Sequence, residues 1–182
     1  MTFANKFRLR IAESRLKKKS LALTRTKDSC NLADAKEIGL IFNATDPARI
    51  EEVKKFVTGL QNQNAHVFVI GYVNEKKVSD ISLMRSGFNF FSMVNLTWFY
   101  KPVIPFIEDF LNRKFDILFD LDIDNSFPLR YIATLSKAGM KVGKYYEGCE
   151  YLDFMIKLET NNSTGYLIEQ SVYYLNMLRK PN

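Results

Sequence analysis

The stretch Glu37-Ile-Gly-Leu-Ile-Phe-Asn43, then Asp46-Pro47, then Ala65-His-Val-Phe-Val-Ile-Gly-Tyr-Val73, decides the fold. The first and last pieces are short, β-branched and apolar, as strands buried on both faces of a parallel sheet must be. Between them Asp46 supplies an N-cap and Pro47 an N1 residue. Ile50, Val53, Val57 and Leu60 then recur on one face of a predicted helix that ends near residue 60. Strand, helix, strand with short connections implies right-handed crossovers and a helix-covered parallel sheet.

The pattern continues outward. Phe88 to Val94 reads as a short third strand, and Pro102 or Pro105 opens a helix carrying Ile104, Ile107, Phe110 and Leu111. Phe115-Asp-Ile-Leu-Phe-Asp-Leu-Asp122 is a further strand. A helix from Pro128 to about Ala138 follows, with Gly139 as its C′ residue. Lys141–Tyr145 and Tyr151–Leu158 are predicted strands. Thr164–Arg179 is a terminal helix with Leu167, Ile168, Val172, Leu175 and Leu178 on one stripe. The expected class is α/β: a single Rossmann-like three-layer domain with a mainly parallel sheet, preceded by a basic N-terminal helix or extension. Residues 1–28 form the basic segment and residues 29–182 the domain.

The charge is uneven. Of 26 basic residues, nine lie in the first 28 positions: Lys6, Arg8, Arg10, Arg15, Lys17, Lys18, Lys19, Arg25 and Lys27. Only Glu13 and Asp28 oppose them there, a net of +7, whereas the remaining seventeen basic and eighteen acidic residues leave the domain near neutral. Phosphate backbones reward such a density through counterion release. RNA or a ribonucleoprotein such as the ribosome is the expected anionic partner, and a solvated helix and an anionic membrane are the alternatives. Leu9, Ala12 and Leu16 fall opposite Phe3, Phe7 and Ile11. The segment is therefore expected to touch its own domain on one side and the partner on the other.

Rare residues exclude much. Two cysteines, Cys30 and Cys149, and one histidine, His66, make no zinc-ligand spacing. His66 opens a β-branched run and is read as a strand start, so no catalytic residue is assigned. Neither GxGxxG nor GxxxxGK[ST] occurs. No cofactor is called for. The longest uncharged stretch, Ser86–Tyr100, is too short and polar to span a bilayer, and the cytoplasm is the default location.

If the strand order is the usual one, a ligand crevice lies between the Asn43 and Asp120 strands. Its lining would be Asn43, Thr45 and Asp46 on one side and Asp122, Asp124, Asn125 and Ser126 on the other. Asp120, Asp122 and Asp124 at period two would project from one face of an extended backbone and could hold Mg²⁺. The competing assignment makes Asp46 the cap of one helix and Asp124, Asn125 or Ser126 the cap of the next. A metal-dependent enzyme or small-ligand sensor at this crevice is the alternative to a non-enzymatic binding module. A third reading is a docking subunit that binds protein through the aromatic segment 88–101, with Arg85 and Lys101 at its borders. Trp98, Tyr100 and Lys101 are its contact candidates.

Phe90-Phe91-Ser92, Trp98-Phe99, Pro102 and Phe115-Asp-Ile-Leu-Phe-Asp-Leu121 resemble an uncharacterised family of small α/β proteins from Bacteroidota, which implies this fold and a bacterial cytoplasmic setting. Phe115–Leu121, Pro128-Leu-Arg130 and Gly139-Met-Lys-Val-Gly-Lys144 are more remotely similar to the N-terminal Rossmann-like half of heptosyltransferase-type glycosyltransferases. That likeness implies architecture. Phe119-Asp-Leu-Asp122 also resembles the nucleophile motif of haloacid-dehalogenase phosphatases, but Ile123-Asp124 stands where Gly-Thr follows in that family, so the phosphatase reading is rejected.

Overall fold

The computed structural model describes residues 3–76 and 87–178. Six strands, β1 (Glu37–Asn43), β2 (His66–Val73), β3 (Phe88–Ser92), β4 (Ile117–Asp120), β5 (Met140–Lys144) and β6 (Phe154–Ile156), form one sheet. Every pair is parallel and the order is β3-β2-β1-β4-β5-β6. The strand order reverses between β1 and β4, where Ile41 lies beside Asp120.

Helices α2 (Pro47–Asn62) and α5 (Thr164–Met177) cover one face. Val53, Val57, Leu60, Leu167 and Leu175 are buried there against Leu40, Phe42, Phe119 and Val142. Helices α3 (Pro105–Asn112) and α4 (Phe127–Leu135) cover the other face, where Ile107, Phe110, Leu129 and Ile132 meet Ile41, Ile70 and Leu118. Burial on both faces is why these strands read as unbroken apolar runs.

Helix α1 (Phe3–Leu21) is a further layer outside α4. Ala12 and Leu16 are buried against Phe127 and Tyr131, with Leu9 packed beside them. Of the two apolar seams, the Leu9–Ala12–Leu16 one docks, while Phe7 on the other is exposed. Phe3's side chain lies outside the described residues.

Local signals explain most boundaries. Asp46 accepts the Ala48 amide at 2.9 Å, and Pro47 sits at N1. Pro105, not Pro102, opens α3; Pro102 instead pairs with Leu96 in an isolated bridge. The C′ role for Gly139 is corrected. Helix α4 ends at Leu135, Ser136 at its C-cap is extended, and Gly139 lacks the positive φ of that role. The Gly139 amide instead donates to the Phe115 carbonyl at 2.8 Å, and its own carbonyl accepts the Asp28 amide at 3.0 Å. Strands 117–120, 154–156 and 88–92 are each at least two residues shorter than predicted, and β2 begins at His66 and not Ala65. Helix α5 is described to Met177, and Arg85 and Arg179 lie outside the described residues.

Candidate functional site

The loops after β1 and β4 meet where the strand order reverses, and the acids there are engaged by their own loops. After Asp120 the backbone turns. Asp120 Oδ1 accepts the Asp122 amide at 3.2 Å, and Asp122 Oδ1 accepts the Asp124 amide at 3.1 Å. Asp122 Oδ2 then takes the Ser126 amide at 2.5 Å. Asn125, with φ +54°, completes the bend in the left-handed region that Asn tolerates. This corrects the picture of three carboxylates projecting from one extended face, because only Asp120 lies in the strand.

From the facing loop, Asn43 Nδ2 donates to Asp124 Oδ2 at 2.9 Å, and the Arg49 guanidinium pairs with the same carboxylate. Asn43 Oδ1 accepts the Thr45 amide at 3.0 Å, while Thr45 Oγ1 accepts from the Asn74 amide at 2.9 Å. Asp46 caps α2. Ser126 is the N-cap residue of α4 but makes no side-chain cap bond, so the carboxylate that serves this turn is Asp122. Among the described residues no group of three His, Cys, Asp or Glu side chains is placed to hold a metal ion.

Beneath this turn, Asp120 and Asp122 are both buried. Burial, with the Asp122 charge beside it, raises the Asp120 carboxyl to about 7; the Asp122 amide and the Tyr151 hydroxyl oppose this rise. Tyr151 donates to Asp120 Oδ2 at 3.2 Å. Burial likewise raises Asp122, against the amides of Ser126 and Asp124. Tyr146 and Lys144 close the back of the loop, donating to the carbonyls of Asp122 (2.8 Å) and Ile123 (3.1 Å). Sequence reasoning missed Arg49, Tyr146 and Tyr151. Arg49, three residues beyond the Asp46 cap, carried a signal: a cation in a first turn opposes the helix dipole and needs a local carboxylate.

The second candidate surface is α1, where the fold sorts the cations. Arg8, Arg15 and Lys19 face the domain and sit over aromatic rings. Arg8 lies 5.1 Å from the Trp98 centroid and 4.8 Å from that of Tyr100, and donates to the Trp98 carbonyl at 2.6 Å. Arg15 lies 4.2 Å from the Phe99 centroid, and Lys19 donates to the Tyr131 hydroxyl at 3.0 Å. After the helix, Arg25 and Lys27 both pair with Asp153. Lys6, Arg10, Lys17 and Lys18 are exposed, and their side chains take no hydrogen bond or ion pair from the described residues.

The aromatic segment divides along the same line. Phe88 and Phe90 pack edge-on to Phe42, and Phe91 packs on Tyr72. Phe99 and Tyr100 lie under α1. Lys101 is half-buried in the tight loop 97–101, its amide bonded to Thr97. Trp98 stays 56% exposed.

Residues 5–178 match a family described as a family of unknown function (DUF6913). The chain belongs to that family. The matched span begins inside α1 and so takes in the docked helix together with the sheet. No curated protein matches the chain. Among solved structures it is similar to the E. coli heptosyltransferase WaaC with ADP, at 12% identity and a TM-score of 0.45. That likeness covers 80% of this chain and 48% of the other, so the chain spans about half of its length. No helix among the described residues is long and apolar enough to cross a membrane.

Proposed function

We propose that this family member is a non-enzymatic α/β binding module that holds an anionic partner, RNA or a ribonucleoprotein, on the outward face of α1. One observation carries the reading: the helix uses separate cations for docking and for display. Arg8, Arg15 and Lys19 are spent on aromatic rings of the domain. Lys6, Arg10 and Lys17 recur at spacings of four and seven residues, which stacks them on one side of a helix, and Lys18 is exposed on the adjoining side. At 1.5 Å per residue this row runs about 16 Å, a length that can meet several phosphates. Trp98, exposed beside Arg8, adds a ring on which a base can stack. An RNA partner is in keeping with a bacterial cytoplasmic setting.

The crevice supports an enzyme less well, because its carboxylates are taken up by backbone amides, Asn43 and Arg49. Protein docking through segment 88–101 keeps Trp98 as its one well-exposed aromatic anchor.

Removing residues 1–28 would also uncover Phe127 and Tyr131, so substitution is the cleaner test. Fluorescence anisotropy with labelled RNA should show affinity falling steeply with salt. The Lys6→Ala/Arg10→Ala/Lys18→Ala variant should lower the slope of log K against log[salt] by about 2 to 3. An unchanged slope and affinity would rule the reading out.

A further inference from the structure

Beneath α1, apart from the loops at the strand ends, lies an open cleft of ≈570 Å³, within the range of small-molecule sites. Its cations come from three places: Lys17 on α1, Arg25 and Lys27 just after it, and Arg130 and Lys141 on α4 and β5. Three carboxylates oppose these five: Glu13 and Glu150 in the lining, and Asp153 behind Arg25 and Lys27. Glu13 is bound to Arg130 at 2.8 Å. The balance stays positive.

Lys141 sets the site apart from an ordinary basic surface. It is 2% exposed, yet it lines the cleft, and its ammonium makes one hydrogen bond, to the Thr134 carbonyl at 3.0 Å. An ammonium has three donors, and a buried one with spare donors is stabilised by an anion. Leu16, Leu23 and the Tyr151 ring supply an apolar wall beside it.

We propose that this cleft binds a small organic phosphate, its phosphate held by Lys141, Lys17 and Arg130 and its organic part against Leu16, Leu23 and Tyr151. The inference does not rest on the RNA reading: Lys17 stands at the edge between the exposed row and the cleft, and the triple variant tested there leaves both Lys17 and Lys141 untouched. Burial first, and then the Arg25 charge, lower the Lys141 ammonium to about 7. The groups around it are Arg25, Lys27 and Asp153 on the β5–β6 side, Arg130 and the Thr134 carbonyl on α4, and Glu13 and Lys17 on α1, with Glu150 and Tyr151 at the rim. Asp153 and Glu13 are already committed to arginines, so a bound dianion favours protonation of Lys141.

The test titrates the whole chain with glycerol 3-phosphate, inorganic phosphate and succinate, followed by amide NMR and calorimetry. Glycerol 3-phosphate should shift the amides of Thr134, Lys141, Gly148 and Tyr151 saturably, with inorganic phosphate weaker at the same amides. At pH 8 the binding heat should vary with buffer ionisation enthalpy in the direction of proton uptake. Lys141→Met should weaken binding roughly ten-fold or more, as loss of a charged hydrogen-bond partner does. Lys17→Met, on the helix surface, carries the same expectation where the first variant does not fold. Absence of a saturable shift, an equal response to succinate, or unchanged affinity in a folded Lys141→Met protein would overturn the proposal.

Discussion

Arg25 and Asp153 face each other as a two-pronged ion pair, Nη1 to Oδ2 at 2.7 Å and Nη2 to Oδ1 at 2.6 Å. Arg25 Nη1 also donates to the Ala138 carbonyl at 2.8 Å, and Asp153 accepts the Lys141 amide at 2.9 Å. The pair therefore joins the segment after α1 to the end of the α4 connection and to β5. It is well shielded, with side chains 9% and 16% exposed.

Breaking one partner of such a pair leaves the other charge poorly solvated. Arg25→Met is expected to cost about 3 kcal/mol in chemical denaturation. Burial alone would raise the Asp153 carboxyl, but hydrogen bonds from Arg25, Lys27 and the Lys141 amide hold it below its ordinary value of 3.8. Its stabilising contribution is present above that pH and disappears as pH falls through the folded value. The variant should accordingly show a flatter loss of stability in acid than the parent; a cost below about 0.5 kcal/mol would place the pair among surface bridges of little consequence.

Asp120 works in the opposite sense. Its carboxyl rises from 3.8 to about 7, chiefly through burial, so the folded state holds a proton that the unfolded chain has released. Stability from this group is full below about pH 4 and is lost as pH rises through about 7. Asp120→Asn keeps an acceptor for the Asp122 amide and removes the titration. The variant should be more stable than the parent at pH 8, by up to about 4 kcal/mol, and close to it at pH 4. A stability difference that does not change between these two pH values would show that Asp120 does not titrate in this window.

Gly143 lies opposite Asp120 on β5. A Cβ there would stand 2.8 Å from the Asp120 carbonyl oxygen and 3.0 Å from Leu152 Cδ1. The first contact is backbone and cannot swing away. Gly143→Ala should cost about 1–3 kcal/mol and disturb the Asp120–Tyr151 hydrogen bond. Loss of stability in thermal unfolding and a changed Tyr151 ring signal are the two readouts; an alanine tolerated at no cost would mean that β4 and β5 can separate there.

Legibility in the sequence followed the range of the forces involved. The Asp46-Pro47 cap and the Val53–Val57–Leu60 stripe are local or periodic and are legible in the sequence, whereas the strand-order reversal follows only if the usual order of such sheets is assumed. Gly139 misled, because a glycine after a helical run has two uses. Here, at the start of β5, a Cβ would come 3.3 Å from the Asp116 carbonyl oxygen. The acid cluster was located, but its internal wiring was not, since period-two projection requires a straight strand and Asp120 bends the chain by accepting the Asp122 amide. Lys141 escaped notice for a similar reason. A lysine in Met-Lys-Val-Gly-Lys reads as the polar side of a strand, and only the packing of α1 over α4 shows that side to be covered.

The Arg25–Asp153 pair spans 128 residues and the Lys19–Tyr131 contact 112. Every other layer of the fold can begin to assemble from neighbours in the chain, whereas α1 must wait for α4, β5 and the segment before β6. During synthesis α1 precedes Phe99, Tyr131 and Asp153, so each of its docking contacts waits for a partner made much later. Closing so long a loop makes its arrival a slow, high-contact-order event. Until those partners exist, Arg8, Arg15 and Lys19 have no ring to sit over and stand among the same unpaired cations as Lys6 and Arg10.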